Sequence, residues 1–176
     1  MRWRKDSHKP FFSSVMRLLK LLLVFIFIYA AFALAGFLFP IDQSWYDSLD
    51  KPALAPTGTF IGMVWGILFG LIALAYTWAF HRRGSFRMPA GLWILIILNY
   101  IFNQMFSYFQ FSQKDLLFAA IDCGFTALTT ISLVLVFGKI SKLSTLLLLP
   151  YMFWTLFATY LAFKFYMLNP NMTMFQ

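Results

Sequence analysis

The sequence predicts an all-α integral membrane protein, a bundle of five transmembrane helices, on three observations. Of 176 residues, 61% are apolar and 21% aromatic while only 11% are charged, and mean hydropathy is +0.76. A soluble core of this size cannot hide that much apolar surface. Second, five stretches reach the roughly 20 apolar residues needed to cross a hydrocarbon core about 30 Å thick. Third, charges and prolines collect in the short segments between these stretches. No length is left for a soluble domain, so residues 1–176 read as one membrane domain.

The first span covers about 18–39, behind a basic arm holding Arg2, Arg4, Lys5, Lys9, Arg17 and Lys20. A basic start, an apolar run and Ala33-Leu34-Ala35 also fit a cleaved signal over residues 1–35. The run is long for a signal peptide, which favours an uncleaved first helix. Residues 40–59 form a polar connection marked by Lys51, Pro52 and Pro56.

The second span, about 60–80, places Gly62, Gly66 and Gly70 four apart, a spacing that lets a neighbouring helix approach closely. Trp65 and Phe69 lie on an adjacent face, and Trp65 stands inside the span although tryptophan prefers the interface. The third span, about 90–111, carries Asn99 and Asn103 with Phe106 and Gln110 on the same stripe. Amides in hydrocarbon are costly without partners, so this stripe is expected to face the interior. The fourth span, about 116–137, lines up Asp122, Thr126 and Thr129. At 1.5 Å rise per residue, Asp122 and Asn103 fall at similar depth, roughly 10 Å from the outer helix ends, and are expected to share a polar cluster. Asp122 reads either as a functional carboxylate or as a hydrogen-bonded helix clamp. The fifth span, about 146–168, has Pro150 in its first turns and Trp154, Ala158 and Ala162 along one face. Lys164 reads as snorkelling outward; its spacing from Leu156 and Tyr160 matches a sterol-contact pattern too common by chance to carry weight.

Charge sets the expected orientation. Besides the arm, Arg82, Arg83, Arg87, Lys139 and Lys142 fall on the amino-terminal side, against Lys51, Lys114 and Lys164 opposite. The amino terminus is therefore expected in the cytoplasm and the carboxyl terminus outside. The net charge of +8 is thus a topology signal, and nucleic acid is excluded as a partner. His8 and His81 read as solvated residues of the basic flanks. The single Cys123 excludes an internal disulfide and a multi-cysteine metal site. No phosphate loop, carboxylate pair, Ser/His/Asp set or metal cluster is present in the sequence, so no catalytic or metal residue is assigned from it.

Several ordered motifs resemble the TspO/MBR family, the tryptophan-rich sensory protein and mitochondrial translocator group. They are Trp45-Tyr46 with Leu49, Lys51-Pro52 and Pro56; Val64-Trp65; Leu98-Asn99; Asp122; and Pro150-Tyr151, Trp154, Phe157, Leu161 and Asn169. The resemblance spans nearly the whole chain. It implies that the first connection is a lid over a pocket between the helices, which accounts for a polar, proline-stiffened loop ahead of Trp65. Departures at Leu54, Thr57, Phe102-Asn103 and Ala162 imply a narrower or differently lined pocket.

The function expected is a receptor or carrier, in a bacterial cell membrane, for a planar hydrophobic ligand. The resemblance implies porphyrin or haem, or a sterol, as ligand, with no required cofactor and a homodimer in the lipid bilayer. Aromatic area and a few amides suit such a ligand. The expected ligand-binding residues are Trp45, Tyr46, Pro52, Trp65, Phe69, Asn99, Phe102, Asn103, Asp122, Trp154 and Ala158. Two alternatives stand beside it: a light-dependent tetrapyrrole-degrading enzyme using Trp65 and Trp154, and a scaffold assembling through its glycine face.

Overall fold

The computed structural model describes residues 9–84 and 87–173, with side chains from Ser13 onward. His8, the basic residues before it and Gln176 lie outside the described residues. The elements are α1 (Lys9–Leu38), a short α2 (Gln43–Ser48), α3 (Gly58–Arg83), α4 (Ala90–Ser107) continuing into a π-helical turn (Tyr108–Ser112), α5 (Leu116–Gly138) and α6 (Lys142–Leu168). Five of these helices are long and apolar enough to cross a membrane. Helices are the form the solvent demands, because hydrocarbon offers no partner for backbone N–H and C=O groups.

Four helix starts, those of α2, α3, α5 and α6, follow short polar side chains that satisfy the first free N–H groups. Asp42 accepts from Trp45 N at 3.1 Å, Thr57 from Phe60 N at 3.3 Å, Asp115 from Phe118 N at 2.9 Å and Ser141 from Ser144 N at 3.2 Å. These caps explain where the expected spans fall short. The Ser141 cap starts α6 at Lys142, so Pro150 sits in the helix interior rather than in its first turns. α1 likewise begins at Lys9, with Pro10 in the first turn, where its missing N–H is harmless. Hydropathy marks only the apolar part of a helix, and these helices run past the hydrocarbon. The expected loop 40–59 contains α2, capped by Asp42.

Packing runs from α1 to α3, α3 to α6, α6 to α5, α5 to α4 and α4 back to α1, a ring of five spanning helices. The main core lies toward the basic end, around Ile72, Tyr76, Leu133, Phe137, Leu148 and Tyr151, with Tyr76 stacked on Phe137 at 5.3 Å. A second core at the opposite end packs Trp45, Tyr46 and Leu49 against Leu116 and Phe165, fastening α2 to α5 and α6. Between α5 and α6, the small residues Ala120, Cys123 and Ala162 meet. Close approach of small residues is the usual means of helix association in lipid, where burial of apolar surface brings no gain. α5 is the most enclosed span and α1 the most lipid-facing.

Candidate ligand-binding site

A cavity of about 340 Å³ lies between α1, α3 and α4 at the end away from the basic flanks, bordered by the α1–α2 connection. Its walls are Tyr29, Phe32 and Gly36 from α1, then Ile61, Gly62, Trp65, Gly66 and Phe69 from α3. Asn103, Phe106 and Ser107 of α4 and Phe111 of the π turn close it. A smaller recess of about 50 Å³ lies on the far side of Trp65, beneath Tyr46, between α3, the π turn and α6. Ile61, Trp65, Phe106 and Phe111 border both spaces. Trp65 is thus a partition, set edge-on to Trp154 at 6.4 Å and 89°, and lying against Phe69 at 5.6 Å.

The α3 glycines do not perform the close packing their spacing predicts. A Cβ at Gly62 would meet nothing within 4 Å, and one at Gly66 or Gly70 would reach only Tyr29, at 3.9 Å. Gly62 and Gly66 open into the cavity. Glycine inside a helix costs roughly 0.5–1 kcal/mol relative to alanine, and here the column leaves room beside Trp65 instead of drawing a helix close. Helical spacing alone cannot tell these two uses apart.

The polar floor is a relay across four helices. Asn99 Nδ2 donates to Thr129 and Thr130 Oγ1, each at 2.9 Å, and its Oδ1 accepts from Tyr151 Oη at 3.2 Å. Asn103 Nδ2 donates to the same Tyr151 oxygen at 3.2 Å. Gln104 Nε2 then donates to Asn103 Oδ1 at 3.2 Å and to the Phe32 carbonyl at 3.1 Å, while its Oε1 accepts from Ala35 N at 2.9 Å. The relay runs α5, α4, α6, α4, α1, and of its amides only Asn103 lines the cavity.

The expected cluster of Asn103 with Asp122 is not formed. Tyr151, reaching in from α6, takes both asparagines. Asp122 is 6% exposed and its Oδ2 has no hydrogen-bond partner among the described residues.

The remaining expected residues divide by place. Trp65, Phe69 and Asn103 line the main cavity, and Tyr46, Trp65, Trp154 and Ala158 line the recess. Trp45, Pro52, Asn99, Phe102 and Asp122 line neither. Trp45 belongs to the core under the lid, and Phe102 stacks on Phe125 at 5.3 Å between α4 and α5. Sequence reasoning missed Tyr29, Phe32 and Gly36, whose spacing of three and four puts them on one α1 face, and it missed Gln104. It placed Gln110 on an interior stripe without a role; Gln110 is 4% exposed, borders the recess, and leaves Oε1 unpartnered among the described residues. The π turn that carries it has no composition signal.

The lid is held by specific polar contacts. Asn169, at the end of α6, donates from Nδ2 to the Asp50 carbonyl at 2.9 Å and accepts from Asp50 N at 3.0 Å. Lys114 pairs with Asp42 at 2.9 Å and stands 5.6 Å from the Trp45 ring. Lys114 has φ of +55°, a left-handed conformation that side chains adopt only at a cost; it directs the ammonium to the lid. Tyr46 donates to the Pro56 carbonyl at 2.9 Å, and burial pushes its phenol up to about 12.

A profile of the TspO/MBR family matches residues 23–168, from within the first span through the lid to the end of the fifth. The chain belongs to the TspO/MBR family. Tryptophan-rich protein TspO of Bacillus cereus is 49% identical over 148 residues, covering 84% of this chain and 95% of that protein. An uncharacterised membrane protein of Bacillus subtilis, YtaB, is 47% identical over the same length, with the same coverage. Translocator protein of Bos taurus is 25% identical over 130 residues, 71% of this chain and 75% of that one. Family membership supports a membrane receptor or carrier role in general terms, and the bacterial relatives and five apolar helices make this an integral membrane protein of bacterial type.

Proposed function

We propose that the protein binds a planar hydrophobic ligand, a porphyrin- or haem-like tetrapyrrole or a sterol, between α1, α3 and α4 beneath the α2 lid. The observation that carries this reading is the 340 Å³ cavity itself, walled by aromatic rings and glycines, with Asn103 and Ser107 as polar points. Flat aromatic walls favour a ligand with stacking faces over a flexible chain. The ligand is carried or sensed rather than used as a cofactor, and the homodimer rests on the family resemblance. The distribution of Lys and Arg supports a cytoplasmic amino terminus.

The test is a tryptophan-fluorescence titration of the purified protein with protoporphyrin IX, repeated with a flexible apolar molecule of similar size. Saturable quenching by the porphyrin alone is the expected result. Trp65→Ala weakens it by about 1–3 kcal/mol through lost stacking area. No saturable binding of either molecule would leave the scaffold reading in its place.

The edge-on pair of Trp65 and Trp154 favours one second reading, light-dependent oxidation of a bound tetrapyrrole. It requires that Trp65→Phe retain porphyrin binding and lose light-driven bleaching. Equal bleaching by the variant and wild type would remove it.

A further inference from the structure

We propose that the basic end of the bundle carries a site for one anionic glycerophospholipid, separate from the ligand cavity. A groove of about 590 Å³ opens to the bilayer there, floored by α3 and walled by α1 and α6. Its floor is Leu74, Thr77, Trp78 and His81, and one wall is Leu18, Leu21, Leu22 and Phe25. Each set repeats at i, i+3, i+4 and i+7, so each is one continuous helix face. Leu143 and Leu147 form the other wall. None of these residues borders the α1/α3/α4 cavity.

Two independent observations select the occupant. The first is charge: Arg17, Lys20, Arg82, Arg83, Arg87, Lys139 and Lys142 stand at this end, and the Asp residues among the described ones, 42, 47, 50, 115 and 122, all lie toward the other. Arg17, Lys20, Arg82 and Lys142 are exposed beside the groove walls and floor. An apolar groove rimmed by unbalanced cations at the bilayer surface fits an acyl chain beneath a negative headgroup. A second copy of this chain would bring an identical cationic rim against this one.

The second is Thr77, which is 8% exposed, lines the groove, and keeps a buried hydroxyl with no hydrogen-bond partner among the described residues. Thr77 lies one helical turn, about 6 Å, inside His81. With the phosphate held at the level of His81 and Arg82, the ester carbonyls of a glycerophospholipid reach the depth of Thr77, and rotation of its hydroxyl toward the groove lets them accept from it. Trp78, half-exposed and 5.9 Å from the His81 ring, stands where interfacial tryptophans anchor.

The test is native mass spectrometry of the purified full chain with phosphatidylglycerol or phosphatidylcholine of identical acyl chains. Wild type retains one phosphatidylglycerol with at least tenfold preference over phosphatidylcholine. Arg82→Gln with Lys142→Gln brings the two lipids to equal retention, and Thr77→Val weakens both alike. Leu22→Trp fills the groove from an exposed α1 position and removes the retained lipid; should its circular dichroism melt show misfolding, Leu18→Trp serves the same purpose. Equal retention of both lipids by wild type overturns the proposal. So does a phosphatidylglycerol preference that survives the groove-filling variant, which would mean diffuse surface attraction, and so does a protein dimer cross-linked through the groove.

Discussion

Tyr151 joins Asn99 to Asn103, the amide whose depth along its helix matches that of Asp122. Its hydroxyl accepts from Asn103 and donates to Asn99 at 3.2 Å each, so one oxygen links α4 to α6 in a medium with no competing water. Membrane hydrogen bonds average about 0.6 kcal/mol in double-mutant cycles. Asn99→Leu and Tyr151→Phe are therefore expected to couple by about that amount in thermal stability. Asn99→Leu and Asp122→Leu are expected to add independently, because Asn99 bonds to Thr126, Thr129, Thr130 and Tyr151 and not to Asp122. Coupling in the second pair and additivity in the first would reverse the assignment.

Gly66 allows a sharper test of the cavity. A Cβ there meets only Tyr29 Oη at 3.9 Å, so alanine gains helix propensity of about 0.5–1 kcal/mol without a clash. Gly66→Ala is expected to raise the melting temperature, and Gly66→Leu to lower porphyrin affinity at least tenfold by filling the space beside Trp65. A loss of self-association, with affinity unchanged, would instead support glycine-mediated assembly.

Among the elements, α2 is the one whose position rests on ionisable groups. The Trp45 backbone N–H, the Lys114 ammonium and the Ser44 hydroxyl hold the Asp42 carboxyl down at about 2, from an ordinary value of 3.8. A carboxylate depressed on folding contributes stability above its unfolded pKa and loses it as pH falls through the folded one. Lid docking through Asp42 is thus constant across neutral pH and fades between about pH 4 and 2. Asp42→Asn is expected to give wild type and variant the same porphyrin release rate near pH 2 and faster release by the variant at pH 7, in a stopped-flow comparison. A transition near pH 6 would require a different titrating group. Pro52 and Pro56 add stiffness from the unbound side, since they restrict the free loop.

Over the whole molecule, the two ends of the ring differ in charge and in use. The end with α2 holds the cavity and the described acids, and the other holds the basic flanks and the larger core. By the Lys and Arg bias, that asymmetry is expected to orient the bundle with its amino terminus in the cytoplasm. A reporter fused after Gln176 is expected to be active only outside the cytoplasm; activity inside would invert the bundle. The lid and the cavity mouth lie at the end opposite the cationic groove, and in that orientation they are expected to face outward.

The hydropathy pattern was sufficient for five helices, because spans must satisfy their backbones internally and bury roughly 20 apolar residues each. Caps at Thr57, Asp115 and Ser141 are equally local, and the ordered tryptophan, proline and asparagine motifs carried the family. Trp65 and Asn103, which line the cavity, were conspicuous in the sequence because a tryptophan and an amide stand inside hydrocarbon there. What the sequence left open was neighbourhood. Spacing puts Gly62, Gly66 and Gly70 on one face, but only the ring order decides whether that face meets a helix or a void. Depth along an axis matched Asn103 with Asp122, and only the arrival of Tyr151 from α6 decided where the hydrogen bonds went. Helical period fixes which residues share a face; the partner across that face is a property of packing among segments far apart in the chain.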